Sequence, residues 1–141
     1  MTATATVGTE VPEYVRTTDL ANWNRYAAVN DEFVPIHMDD EAGRAVGFPG
    51  AFGMGNLLWS YLHNMLRDWI EAEFDGNGRI ASMDLSFRSP NLRGQTVAAR
   101  GTVTGVREES GATIVELDVV VVDRDHPDTV LAPGKATVSL A

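Results

Sequence analysis

The chain has 141 residues, 44% of them hydrophobic and 22% charged, the mix of an ordinary globular domain. It holds no cysteine, which excludes a disulfide framework, a thiolate metal site and a thiol nucleophile. Eleven basic residues against twenty acidic ones leave a net charge of −9, which argues against a nucleic-acid or anionic-membrane partner, because phosphate binding needs a basic footprint.

Residues 1–141 read as one domain. Met1 to Thr6 alternates Thr and Ala without a basic n-region, so it reads as a short flexible lead and not as a secretory signal. No apolar run approaches the roughly 18 residues of a spanning helix, and the expected compartment is the cytoplasm. Val7 to Arg16 reads as a turn and then a short strand. Asp19 to Val29 reads as a helix, with Leu20, Trp23, Tyr26 and Ala27 at helical spacing behind the N-cap candidates Thr17, Thr18 and Asp19. Asn30 to His37 reads as a loop stiffened by Pro35. Asp39 then caps one or two helical turns as far as Ala45, with Asp40 and Glu41 placed where negative charge suits the helix dipole.

A glycine-rich approach through Gly47, Pro49, Gly50, Gly53 and Gly55 leads into the longest periodic element. Leu58, Leu62, Met65 and Trp69 form one stripe, with Leu57, Tyr61, Leu66 and Ile70 beside it, which predicts an amphipathic helix of about five turns. It ends before Asp75-Gly76-Asn77-Gly78. The second half is rich in Val, Thr and Ile. Ile80 to Arg88, Gln95 to Val106, Thr113 to Arg124 and Thr129 to Leu140 read as a four-stranded antiparallel meander, with Val119 to Val122 buried on both faces. A long helix followed by an antiparallel sheet is an α+β plan, most simply a sheet curled around that helix.

Histidine is scarce. His63 reads as a helix-flank residue and His126 as part of a solvated hairpin tip. His37 follows the constrained Pro35-Ile36 step, with Asp31, Glu32, Asp39 and Asp40 around it. A histidine with a carboxylate held nearby is a general acid/base pair; the alternative is a charged surface loop that does no chemistry. No second histidine is placed to complete a metal site. Gly53-Met54-Gly55 precedes the long helix, whose free N-terminal N–H groups suit a developing oxyanion such as a thioester enolate. Equally, those glycines let the chain turn tightly.

The run Glu32-Phe33-Val34-Pro35-Ile36-His37-Met38-Asp39-Asp40-Glu41-Ala42, then Val46-Gly47-Phe48, then Ala51-Phe52-Gly53-Met54-Gly55-Asn56-Leu57, resembles the hydratase signature of the MaoC-like family. Phe87-Arg88-Ser89-Pro90 and Gly94-Gln95-Thr96 resemble its later segments, and the resemblance covers nearly the whole chain. It implies a hot-dog fold and (R)-specific enoyl-CoA hydratase or 3-hydroxyacyl thioester dehydratase activity without an external cofactor. It places His37 and Glu32 as the catalytic pair and the Gly55 N–H on the thioester carbonyl. Asp31, Val34, Met54, Asn56, Arg88 and Arg93 would lie along the substrate. Glu32 stands where the family has aspartate, Val34 where it has asparagine, and Met54 where it has histidine.

These departures motivate a second reading, a partner subunit that completes another chain's acyl tunnel. A third is a hot-dog thioesterase, disfavoured because the helix carries no acidic residue from Gly55 until Asp68. The expected partners are an acyl-CoA substrate and a second hot-dog subunit, as a homodimer or a heteromer. Arg88, Arg93 and Arg100 are expected to form a local cationic patch for coenzyme A phosphates despite the global sign, since exposed charges beyond about 10 Å are largely screened.

Overall fold

The computed structural model describes residues 4–141. The elements are β1 (Glu10–Thr17), α1 (Leu20–Asn30), a 3-10 turn (Pro35–His37), α2 (Asp40–Ala45), α3 (Gly55–Phe74), β2 (Gly78–Leu85), β3 (Thr96–Glu109), β4 (Ala112–Asp123) and β5 (Val130–Leu140). The strands form one antiparallel sheet in the order β1-β3-β4-β5-β2, and α3 touches every one of them. This is the α+β arrangement of a hot-dog.

The expected four-stranded meander is corrected on two points. Only β3, β4 and β5 follow one another as hairpins, while β2 lies at the far edge beside β5, with Met83 opposite Ala136. The N-terminal strand β1 supplies the fifth member, beside β3. The connection from β2 to β3 explains the difference. It is not a tight turn but a crossing segment that leans on β5, where the Arg88 N–H donates to the Leu131 carbonyl at 2.8 Å, before reaching β3. The register of β1 shifts between Val11 and Tyr14, where Pro12 offers no N–H to the ladder.

Local chemistry explains the helix boundaries. The Asp19 side chain accepts the Leu20 N–H at 2.7 Å and the Asn22 side chain accepts the Asp19 N–H at 3.0 Å, a reciprocal cap that starts α1. Asp39 starts α2 by accepting the Glu41 N–H at 3.1 Å. Trp23 and Ala27, one turn apart on α1, are buried. On α3 the apolar stripe is the core, and Leu62 and Leu66 are fully buried. Truncating such a leucine to alanine costs about 2–5 kcal/mol. Trp69 and Phe74 also lie in the core, ring edge against ring face at 5.1 Å, whereas Trp59 is exposed.

In β4, Val115, Leu117, Val119 and Val121 face α3, and Val122 is buried on the opposite side. Within the Val119 to Val122 run only Val120 is half-buried. His126 is 77% exposed at the β4–β5 tip. Of the lead expected to be loose, residues 1–3 lie outside the described residues; Ala5 packs into the core, and just beyond the lead the Gly8 N–H donates to the Val103 carbonyl at 2.8 Å. Among the described residues no helix is long and apolar enough to cross a membrane.

Candidate active site

The segment from Pro35 to Gly55 is folded back so that its two ends meet. Pro35 opens a 3-10 turn closed by the His37 N–H on the Val34 carbonyl at 3.0 Å. The turn aims the half-buried His37 ring at residue 52. Its Nδ1 lies 2.7 Å from the Phe52 carbonyl, and the Phe52 ring meets the imidazole edge to face at 5.3 Å. A carbonyl can only accept, so the neutral ring carries its hydrogen on Nδ1. Nε2 then keeps its lone pair and is the nitrogen left for chemistry.

The strap Phe52–Gly53 is held on both sides. The Phe52 N–H donates to the Ile36 carbonyl at 3.2 Å and the Gly53 N–H donates to the Asn91 carbonyl at 2.8 Å. One residue earlier, Asp40 accepts the Ala51 N–H at 3.0 Å and pairs with Arg93 at 3.2 Å. The Ala51 N–H, with help from Arg93 and Arg44, lowers the Asp40 pKa, so this carboxylate stays charged and keeps its grip.

Gly55 is the first residue of α3. The N-cap residue Met54 offers no side-chain bond, so the first N–H groups of this helix are free of a side-chain cap. The approach is close here: a Cβ at this position would stand 2.9 Å from the ring of the exposed Phe87 and would push it aside. His37, Gly55, Phe52, Phe87, Leu58 and Arg88 share one cavity of about 310 Å³. Its walls are mostly apolar, with one imidazole, one helix N-terminus and one guanidinium. Such a pocket suits an acyl thioester whose carbonyl meets the N–H and whose reacting carbons face the imidazole.

The remaining expected residues lie outside this cavity. Glu32 is exposed and does not line it; its backbone N–H closes α1 on the Ala27 carbonyl at 2.9 Å. Asp31 occupies the left-handed C-cap of α1, with φ of 54°, a position that favours glycine. Val34 is 36% exposed before the 3-10 turn, Met54 is buried in the core, and Asn56 is exposed on α3. Among the described residues no carboxylate lines the cavity.

The expected cationic patch is also reduced. Arg93 pairs with Asp19 and Asp40, and Arg100 pairs with Glu13. Among the described residues Arg88 makes no ion pair. A wider depression of about 600 Å³ lies at the β1 bulge, but Glu13 and Arg100 neutralise each other there and no histidine reaches it. Among the described residues no group of three histidine or acidic side chains could hold a metal ion.

Sequence reasoning missed Phe87 and Asn91 as parts of the cavity lining. Phe87 stood in a quoted segment without a role. Asn91 looked like a turn residue between Pro90 and Leu92, yet it is 1% exposed.

Comparison with known proteins bears on the family and the fold. The model of the MaoC like domain matches residues 2–124. A 3-hydroxyacyl-[acyl-carrier-protein] dehydratase, mitochondrial, of Arabidopsis thaliana is 30% identical over 115 residues, 82% of this chain. The match spans 66% of that relative's own length. An (R)-hydratase from A. caviae involved in PHA biosynthesis superposes with a TM-score of 0.83 at 23% identity, covering 97% of this chain and 98% of the other. The ChsH1-ChsH2 complex from Mycobacterium tuberculosis gives 0.83 at 20% identity over 98% of this chain and 100% of the other. At these identities the superpositions establish the fold. By the family match the chain belongs to the MaoC-like dehydratase family.

Proposed function

We propose that this chain adds water across the double bond of trans-2-enoyl-CoA thioesters to give (R)-3-hydroxyacyl-CoA, and catalyses the reverse dehydration. The observation that carries the reading is the shared cavity of His37 and Gly55, with His37 Nδ1 committed to the Phe52 carbonyl. In the forward direction a water oxygen bonds to the β-carbon as Nε2 of His37 takes its proton. The C=C electron pair shifts to the α-carbon and onto the thioester oxygen, where the Gly55 N–H meets the developing charge. The proton then returns to the α-carbon. The carboxylate role that the resemblance gives Glu32 would require its exposed side chain to turn into a cavity it does not line, and no external cofactor is consumed. The test is the loss of enoyl-thioester absorbance on adding enzyme. His37→Ala should slow it by about 10²–10⁴-fold, the usual weight of a general acid/base. A His37→Ala variant at full rate sinks the assignment.

One observation favours a second reading. Glu32 is exposed, and among the described residues no carboxylate lines the cavity. A chain in that state fits the partner-subunit role, in which it completes the acyl tunnel of a related, catalytic hot-dog subunit. Purified alone, it would then turn over none of the enoyl thioesters tried, and it would gain activity only in a complex of defined stoichiometry. An active homo-oligomer excludes this reading.

A further inference from the structure

Asn91 belongs to the inner lining of the cavity and is 1% exposed, so an unsatisfied amide there would be costly. It spends its hydrogen-bonding capacity on a buried string. Nδ2 donates to Thr18 Oγ1 at 2.8 Å and to Gln95 Oε1 at 3.1 Å, while Oδ1 accepts from Trp23 Nε1 at 3.4 Å. Gln95 Nε2 in turn donates to Asp123 Oδ2 at 2.9 Å. The two ends of this string allow one polarity only. A carboxylate can only accept, so Gln95 turns its amide nitrogen toward Asp123 and its oxygen inward. An indole N–H can only donate, so Asn91 turns its oxygen toward Trp23. Both amides are therefore oriented without choice, and the string is a rigid unit linking β4, the β2–β3 connection and α1.

The same residue reaches the site through its main chain. Its carbonyl accepts the Gly53 N–H at 2.8 Å, and Leu92 bridges to Phe52. Its side chain presses from the other side: a Cβ on Gly53 would stand 2.6 Å from Asn91 Oδ1 and 2.7 Å from Trp23 Nε1. Gly53 is thus bound by one part of Asn91 and confined by another. The adjoining Phe52 carbonyl is the group that takes the His37 Nδ1 hydrogen.

We propose that Asn91 is a positioning residue for His37: together with Trp23 it fixes the Phe52–Gly53 strap so that the Phe52 carbonyl holds the ring as the Nδ1–H tautomer and leaves Nε2 as the base. Its kinetic consequence rests on the hydratase reading; the tautomer is a property of the resting protein. The experiment is long-range 1H–15N NMR of the histidine rings, above the pH at which they lose their charge, with kcat and KM measured on the same samples. Leu117→Ala, a core change outside the cavity, serves as a control for general loss of stability.

Wild type and Leu117→Ala should show His37 protonated on Nδ1. Asn91→Ala should move it toward the Nε2–H form preferred by a free imidazole side chain, with kcat down at least about tenfold and KM nearly unchanged, as a small displacement of a reacting group produces. Trp23→Phe, which removes the indole donor together with part of the ring but keeps the Asn91 amide, should give a smaller shift in the same direction and stands in if Asn91→Ala does not fold. An unchanged Nδ1–H signature in the variant that folds overturns the proposal, whatever happens to the rate. A shifted tautomer with an unchanged rate upholds the positioning and removes Nε2 of His37 from the chemistry instead.

Discussion

Gly55→Ala separates chemistry from folding, because the rate should respond and the stability should barely move. The backbone at Gly55 is ordinary helix, without a positive φ, so an alanine is conformationally acceptable there. Inside a helix that exchange is worth up to about 1 kcal/mol in favour of alanine, and less in the first turn. Against this, the new Cβ would meet three Phe87 ring carbons at 2.9, 3.0 and 3.0 Å, all shorter than ordinary contact. The ring must retreat by about 0.5–1 Å to restore normal van der Waals distance. Phe87 is 55% exposed and can swing outward, so the net effect on the denaturation midpoint should be close to zero. The reaction is less tolerant. The methyl and the displaced ring occupy the space beside the Gly55 N–H, and a misplacement of about 1 Å costs up to 10²-fold. The assay is enoyl-thioester absorbance against time, with Phe87→Ala and the double variant as the remaining corners of a cycle. Restoring room in Gly55→Ala/Phe87→Ala should recover part of the rate lost by Gly55→Ala. A Gly55→Ala enzyme within twofold of wild type refutes the placement of the carbonyl at this helix end.

Arg88→Ala should raise KM for a coenzyme A thioester about two- to fivefold, the weight of one exposed charge, with the effect fading in salt. Arg93→Ala should leave KM nearly unchanged and lower the denaturation midpoint slightly, because Arg93 is already tied to Asp19 and Asp40 in exposed pairs worth at most about 1 kcal/mol. The Gln95 amide, followed by the Asp125 and His126 N–H groups, holds the Asp123 pKa below its ordinary value. A depressed carboxyl pKa gives stability that is complete above the unfolded value of about 3.9 and is lost as pH falls through the folded one. Urea midpoints measured from pH 6 downward should therefore fall less steeply for Asp123→Asn than for wild type. Gly134→Ala would drive a Cβ into the Asp84 carbonyl across the β2–β5 pairing, so it should destabilise by about 1–3 kcal/mol or more in chemical denaturation.

The elements of this fold were legible because each carries its own local signal. Asp19 and Asp39 announce their helices by capping them, and α3 announces its length by a 3.6-residue stripe that stops at Asp75. The order of strands was not legible, because it depends on where the β2–β3 connection travels. Nothing in Ser86 to Gln95 says that it will lean on β5, and a reader of alternation alone joins β2 to β3. β1 likewise reads as a strand but not as a neighbour of β3. Its partner is fixed by a pairing such as Arg16 opposite Val97, far apart in the chain.

The site divides along the same line. His37 and Gly55 stood out because proline before a histidine and glycine before a helix are short-range patterns, and the fold brings both to one cavity. The arginines were misread as a set because charge in a sequence carries no partner. Arg93 is consumed by Asp19 and Asp40 in holding the strap, and Arg100 by Glu13 on the sheet, which leaves Arg88 to face the cavity alone. Around the site the acidic excess therefore acts by occupying Arg93 and Arg100. Under the proposed hydratase reading, the phosphates of a coenzyme A thioester would meet one guanidinium of the cavity lining, and affinity would fall chiefly to the acyl and pantetheine portions against Phe52, Leu58 and Phe87. Substrate selection should then follow the shape of those walls more than the charge of the carrier, and trimming Phe87 should change which acyl groups react more than salt does.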